Sequence, residues 1–281
     1  MTTEPTDKHT TAKGFLLTSA FWMILATGAG LLGATELMAP DLVKNVSWLV
    51  FGRIRPVHVN LVLFGFVTPG LLAAAFYYLP RLMKTRLFSE TLGIATVIAW
   101  NVALVAVVVS LTAGHSQGRE YAELIWPIDV MVLAVFGLVF INLAMTVKRR
   151  REPILYVSIW YALAAVVLTG TTYALGNVIW RPDNGALLGI PDAILLWFYG
   201  HNIFGLLLTP LAAGAAYYII PRAVNAPLYS HALSLLGFWG LFVVYTHIGT
   251  HHLLQTPVPT WLKTVAIVDS VAMVIPVMAF L

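Results

Sequence analysis

Leu92-Gly-Ile-Ala-Thr-Val-Ile-Ala-Trp-Asn-Val-Ala-Leu-Val-Ala-Val-Val-Val-Ser-Leu-Thr-Ala113 contains no Asp, Glu, Lys or Arg, and this stretch decides the architecture. About 20 such residues, at 1.5 Å each, make an α-helix as long as the hydrocarbon core of a bilayer is thick. Working outward, seven further stretches have the same character, at approximately 14–38, 57–79, 127–147, 154–177, 190–219, 231–254 and 262–281. Charged or proline-containing loops separate them. Of the 281 residues 59% are hydrophobic and 10% charged, and the mean hydropathy is +0.85. A water-soluble globule cannot hide that much apolar surface. The expected fold is therefore all-α, a polytopic membrane helical bundle of eight spans, because backbone polar groups in hydrocarbon must be bonded internally. The first span is too long for a signal-peptide core and is followed by Glu36 rather than a small-residue cleavage site, so it is expected to stay.

Orientation follows from lysine and arginine in the loops. With the N-terminus inside, the inner segments hold Lys8, Lys13, Arg81, Lys84, Arg86, Lys148, Arg149, Arg150, Arg151 and Arg222. The outer ones hold only Lys44, Arg53, Arg55, Arg119, Arg181 and Lys263. N-terminus inside is favoured, with residues 1–13 as a cytoplasmic tail and 14–281 as one membrane domain. The run Lys148 to Arg151 reads as a positive-inside anchor rather than a nucleic-acid or head-group site, and the net charge of +4 requires no nucleic-acid partner.

There is no cysteine, which removes c-type haem attachment, thiolate ligation and disulfides; redox chemistry would have to use histidine. No phosphate-binding glycine loop, nucleophile elbow or HExxH motif is present, which disfavours nucleotide-driven transport.

Histidine is where the chemistry concentrates. His58 begins the second span, in Gly52-Arg-Ile-Arg-Pro-Val-His58-Val-Asn60, and His201 lies about 16 Å into the sixth at 1.5 Å per residue, in Trp197-Phe-Tyr-Gly-His201-Asn202. His251 and His252 end the seventh. Three helices thus bring imidazoles to the outer half of the membrane, where an ionisable group signals function by default. A lone span histidine also serves as a helix–helix hydrogen-bonding group, and that reading stays open for His58. His251 and His252 point about 100° apart on a helix and both need partners. With His201 they suit a three-imidazole site for copper, zinc or iron. Tyr245, two helical turns before His252, is expected about 10.5 Å deeper, level with His201. It is either a proton and electron donor to such a metal or a packing tyrosine.

These residues, with Glu120-Tyr-Ala-Glu123-Leu-Ile-Trp126-Pro127-Ile-Asp129 and Tyr217-Tyr-Ile-Ile-Pro221-Arg222, resemble the catalytic subunit I of haem–copper oxidases, the cbb3-type cytochrome c oxidases above all. The resemblance covers nearly the whole chain in order. It implies His58 as an axial ligand of low-spin haem b, with Arg53 and Arg55 at haem propionates, and His201, His251 and His252 as ligands of the copper CuB. It implies Tyr245 as the active-site tyrosine, covalently joined to His201, whereas Gly205 stands where other subfamilies carry that tyrosine. The implied reaction is reduction of O2 to water at a haem b3–CuB pair, coupled to proton translocation, in a bacterial inner membrane. Electrons would come from cytochrome c through c-type cytochrome subunits of the complex. Thr209, Tyr217 and Ser234 match an inner proton path, although span serines and threonines usually bond back to their own helix. Glu120 and Glu123 lie in an outer loop, near haem propionates or a bound calcium ion, or simply solvated.

The family subunit has twelve spans, and its tenth carries two histidines for the haems, the proximal ligand of haem b3 among them. This chain ends at Leu281, so it is expected to be truncated and inactive alone. His247 is expected to be a hydrogen-bonding residue of the bundle interior, a fourth copper ligand being the other reading. Gly237 stands where relatives often have a polar residue, which weakens the inner proton path. Two alternatives remain. One is a subunit resembling nitric oxide reductase, disfavoured because residues 197–219 hold no carboxylate to suit non-haem iron. The other is a non-catalytic copper- or haem-binding membrane protein.

Overall fold

The computed structural model describes residues 9–183 and 185–280. It is helical throughout, with no strand among the described residues. The chain runs α1 Thr10–Met38, α2 Phe51–Leu82, α3 Glu90–Ala113, α4 Trp126–Lys148, α5 Val157–Gly176, α6 Ile190–Ala223, α7 His231–Tyr245 and α8 Thr260–Phe280. All except α7 are long and apolar enough to cross a membrane. Seven of the eight expected stretches are helices of spanning length, the seventh stretch is helical only over His231–Tyr245, and α1 starts at Thr10, inside the expected tail. Lys8 and the rest of the tail before His9 lie outside the described residues.

Helix ends follow local chemistry. Ser89 caps α3 by accepting from Leu92 N at 3.0 Å, and Ser230 caps α7 by accepting from Leu233 N at 3.2 Å. α2 is capped from outside itself: buried Glu36, near the end of α1, accepts from Phe51 N at 2.7 Å, a favourable place for negative charge. Pro127 and Pro191 sit in the first turns of α4 and α6, where the missing N–H costs nothing. α3 ends on Gly114 at φ +92°, and an added Cβ there would meet Arg53 Nη2 at 2.9 Å.

Three spans widen into π-helical turns, at Leu61–Val67, Ile203–Leu208 and Leu241–Tyr245. Such turns favour functional sites. The first two precede Thr68-Pro69 and Thr209-Pro210, and each proline removes one ladder donor. Side chains of neighbouring helices then reach carbonyls of the widened turns. Trp100 Nε1 donates to Phe64 O at 2.8 Å, Ser19 Oγ to Phe66 O at 2.7 Å, and Thr169 Oγ1 to Leu206 O, the carbonyl Pro210 cannot engage, at 3.4 Å. α2 and α6 share a further pattern, Tyr77-Tyr78-Leu-Pro80-Arg81 against Tyr217-Tyr218-Ile-Ile-Pro221-Arg222.

Polar bonds tie α1 to α3 across the bundle. Thr11 N donates to Glu90 Oε2 at 2.8 Å, and Asn101 links Trp22 and Thr18 at 2.8 Å each. In hydrocarbon, bonds of this kind contribute about 0.6 kcal/mol each. Phe15 of α1 packs on Phe76 of α2 and Trp100 of α3, and Trp100 packs in turn on Phe136 of α4.

The seventh span departs from expectation. Residues 231–254 are not one helix: α7 stops at Tyr245, the chain turns at Thr246-His247, and Ile248–Leu253 continues as a tighter 3-10 helix. The reason is close contact with α6. A Cβ on Gly249 would lie 2.5 Å from Trp197 O, so this segment packs its backbone directly on α6. Gly240 plays the same part against α8, where a Cβ would meet Pro276 Cβ at 2.7 Å, and a Cβ on Gly237 would lie 3.5 Å from Pro276 O. Gly237 therefore faces α8 at ordinary packing distance, and the close approach is at Gly240.

Candidate metal centre

The break after Tyr245 frees backbone carbonyls, and α6 binds two of them. His201 Nε2 lies 3.2 Å from Tyr245 O, and Asn202 Nδ2 donates to Thr246 O at 2.7 Å. Adjacent residues of α6 therefore fasten the turn of α7. A carbonyl only accepts, so His201 carries its proton on Nε2 and keeps a lone pair on Nδ1.

The same logic fixes His251. Its Nδ1 lies 3.1 Å from Ser270 Oγ, and the hydroxyl proton of Ser270 is directed to Ala266 O at 2.6 Å. His251 Nδ1 is thus the donor and Nε2 holds a lone pair. Both lone pairs face one atom: His252 Nε2 lies 3.4 Å from His201 Nδ1 and 3.1 Å from His251 Nε2. The three imidazoles offer ligand atoms all within 4.8 Å of one another. Metal–imidazole bonds of about 2.0–2.1 Å in tetrahedral array separate ligand nitrogens by about 3.3 Å. The spacing fits a metal ion, which would engage both lone pairs, whereas a single proton on His252 Nε2 can satisfy only one of its two neighbours. His252 also stacks on Trp197, with ring centroids 4.3 Å apart.

Tyr245 reaches this group by a different route from the one its spacing suggested. Its ring lies nearly parallel to that of His201, centroids 3.9 Å apart, and its hydroxyl is 3.3 Å from His201 O. The space it fills is that of a missing side chain: a Cβ on Gly205 would lie 1.8 Å from Tyr245 Cε1. Tyr245 is level with His201 as expected, through a π turn followed by a break instead of two further α turns.

His247 is corrected. It is exposed rather than interior, its Nε2 lies 2.6 Å from Asp269 Oδ2, and it is no member of the triad. Asp269 and Ser270 of α8 thus each hold one histidine of the 247–252 segment.

His58 stands apart, in α2. Its Nδ1 donates to Ala26 O of α1 at 2.8 Å, leaving Nε2 free as a ligand. Gly30 makes room for it, as a Cβ there would sit 2.6 Å from His58 Cε1. Arg53 Nη1 donates to Thr112 O at 2.8 Å, and Arg55 pairs with Glu120 at 2.6 Å. Glu123 is buried, accepts from Asn60 Nδ2 at 3.1 Å through Oε2, and has no hydrogen-bond partner on Oε1. Burial pushes its carboxyl above the ordinary range, against the opposing bond from Asn60.

The inner candidates are not brought together by any contact among the described residues. Thr209 is exposed, Tyr217 stacks on Tyr161 at 5.9 Å, and Ser234 Oγ donates to His231 O of its own helix at 2.7 Å. Asn202, Trp197 and Ser270 were missed as individual site residues. The first two stand in the quoted motif beside His201, so their signal was in view, whereas Ser270 has no local signature.

Fold and site together define a polytopic membrane helical bundle with three imidazoles, on two neighbouring helical segments, that could hold a metal ion. Residues 10–281 match the family model described as Cytochrome C and Quinol oxidase polypeptide I, and the chain belongs to that family. It is 32% identical to Cbb3-type cytochrome c oxidase subunit CcoN1 of Stutzerimonas stutzeri, over 93% of this chain and 56% of that protein. It is 35% identical to Cytochrome c oxidase subunit 1 of Rhodobacter capsulatus, over 93% and 51%. Quinol oxidase subunit 1 of Sulfolobus acidocaldarius is 30% identical over 68% of this chain and 31% of its own length. The chain spans about half the length of the first two relatives.

Substituting Ser270 by alanine is expected to weaken metal binding about 10–100-fold, the usual effect of losing the group that orients a ligating histidine. Titration with Cu(I) measures it. Ser270→Thr, which keeps the hydroxyl, should restore most of the affinity.

Proposed function

We propose that this chain is the copper-holding part of the catalytic subunit of a membrane respiratory oxidase, and that His201, His251 and His252 are the ligands of CuB. The observation that carries the reading is the pair of lone pairs on His201 Nδ1 and His251 Nε2 directed at His252 Nε2, with the Tyr245 ring against His201 in the space Gly205 leaves. When bound, copper and the haem b3 iron supply the oxygen-binding positions and electrons for reduction of O2 to water.

The chain's own residues do the rest. Tyr245 presents a phenol that can give up a proton and an electron at the metal, and its ring stacks on the face of His201 with centroids 3.9 Å apart, beside the residue to which a covalent link would join it. His58, its Nδ1 proton fixed on Ala26 O, offers Nε2 to low-spin haem b, with Arg53 and Arg55 near its propionates. Glu123 has a free carboxylate oxygen for a calcium ion beside Glu120. Thr209, Tyr217 and Ser234 remain candidates for an inner proton path that supports proton translocation. With no cysteine to hold haem c, electrons enter from cytochrome c through c-type cytochrome subunits, and the setting is a bacterial inner membrane with the N-terminus inside. An assembly of twelve spans would supply the remaining haem ligands.

Elemental analysis of the purified protein, with a pyridine haemochrome spectrum, tests this. One copper per chain, lost in His201→Ala, and b-type haem lost in His58→Ala are expected. Non-haem iron in place of copper would move the chain to the nitric oxide reductase class, and neither metal nor haem would sink the reading.

A further inference from the structure

Away from the triad, Asp129 lies in the first turn of α4 and is completely buried. Its Oδ1 accepts from the Tyr173 hydroxyl of α5 at 2.6 Å, while its Oδ2 has no hydrogen-bond partner. Two neighbours share that condition. Asn177 Oδ1, on the turn that ends α5, and the Tyr199 hydroxyl, on α6, are both on fully buried residues, and neither makes a hydrogen bond of good geometry although the two side chains lie within reach of each other. The three belong to one place. The rings of Tyr173 and Tyr199 meet edge to face at 5.3 Å, Asn177 Nδ2 donates to Tyr173 O at 3.0 Å, and the Tyr199 hydroxyl faces the Asn177 side chain. Tyr199 is pressed into position, since a Cβ on Gly176 would lie 1.9 Å from its own Cβ.

Among the described residues the cation that acts on Asp129 is Arg119, and no hydrogen bond or ion pair joins the two. Arg119 is committed to Asp192, at 3.0 and 3.1 Å, and to Gly185 O at 3.1 Å. The other titratable groups around the carboxyl are Tyr173, Tyr199 and Glu123, and Glu123 is bonded to Asn60. A carboxylate this deep, with one phenol as donor, is strongly disfavoured. A carboxylic acid at this position would carry its O–H on the unpartnered Oδ2. That gives a donor on Asp129, an acceptor on Asn177 and a hydroxyl on Tyr199 able to do either. Buried polar atoms left without protein partners are characteristically satisfied by ordered water, which makes about three such bonds.

We propose that Asp129, Asn177 and Tyr199 form a binding site for internal water, and that Asp129 stores an exchangeable proton there. In the transfer, the Oδ2–H bond breaks, the proton joins the bound water as hydronium, and the carboxylate left behind is held by the Tyr173 O–H; return of the proton restores the acid. Tyr199 stays a neutral phenol throughout. The site is separate from the histidine triad and does not depend on the metal. It lies between Tyr199, two residues before His201 in α6, and the pair that Arg119, in the loop before α4, forms with Asp192 in the first turn of α6.

Infrared difference spectroscopy of the purified chain in lipid nanodiscs, transferred from H2O to D2O with and without copper, reads this directly. A carboxylic-acid carbonyl band is expected that shifts on transfer, disappears in Asp129→Asn and moves in Tyr173→Phe. Its exchange should slow in Asn177→Leu. Tyr173→Phe keeps the test open if Asp129→Asn does not fold, because loss of its hydroxyl bond must move an Asp129 band. Absence of any carboxylic-acid band sensitive to these variants would overturn the proton store. A sensitive band that does not exchange with D2O would overturn the water site. Failure of copper to bind would leave both outcomes readable and bear only on the function proposed above.

Discussion

Gly205→Ala is expected to disable the redox centre while leaving the metal bound. The new methyl group would fall 1.8 Å from Tyr245 Cε1 and 2.3 Å from Cδ1 and Cζ, inside a rigid ring and not at the end of a flexible chain. The ring must leave its place beside His201, where the centroids are 3.9 Å apart. Overpacking of this kind costs about 1–3 kcal/mol, which a bundle of this size survives. Displacing a reactive group by about 1 Å typically costs 100-fold in rate, so any His201–Tyr245 cross-linked peptide should vanish from mass maps, and O2 turnover by the twelve-span assembly proposed above should fall at least to that extent. The cause can be isolated with a second substitution. In a Tyr245→Ala background the obstacle is gone, and Gly205→Ala should become neutral or stabilising, since alanine is favoured over glycine in helices by about 1 kcal/mol. Thermal unfolding of the four proteins gives the coupling. Equal destabilisation with and without the Tyr245 ring would show that Gly205 serves something else.

That glycine also marks where reading the sequence succeeded and where it stopped. The spans were legible because bilayer thickness fixes helix length, and a charge-free run such as residues 92–113 has few other solutions. His201, His251 and His252 were legible because imidazoles in hydrocarbon need partners. The depth of Tyr245 came out correctly although the path did not. A π turn up to Tyr245, a break at Thr246-His247 and a 3-10 segment replace the α-helix, because the backbone of Gly249 packs onto Trp197 O, a tertiary contact with no local signature. His247 was misplaced for the same reason, as the break turns it outward to Asp269. The Thr-Pro and Tyr-Tyr pairs repeated in α2 and α6 were in plain view, but their effect, a widened turn whose carbonyls neighbouring helices engage, appears only when those helices are packed. Asp129 stood inside a recognised stretch. Its significance lies in what surrounds it, which only the packed helices show.

His252→Ala should change stability by different amounts with and without copper. In the metal-free protein, His201 Nδ1 and His251 Nε2 both present lone pairs to His252 Nε2, and one proton satisfies only one of them. Removing the His252 ring relieves this conflict and gives up its stacking on Trp197 at 4.3 Å. The ring is exposed, so the net change should stay within about 1 kcal/mol, as for substitutions outside a packed core. With Cu(I) at about a thousand times the dissociation constant, the wild-type chain gains about 4 kcal/mol from binding. The variant, reduced to two imidazoles, loses most of that gain. A shift in unfolding temperature on adding copper should therefore appear in the wild type and largely vanish in His252→Ala. His247→Ala serves as the control, because its imidazole is bonded to Asp269 and lies outside the triad. Its copper-induced shift should match that of the wild type. If His247→Ala lost the shift while His252→Ala kept it, the ligand assignment would be wrong, and the segment after Tyr245 would have to turn the other way when the metal is bound.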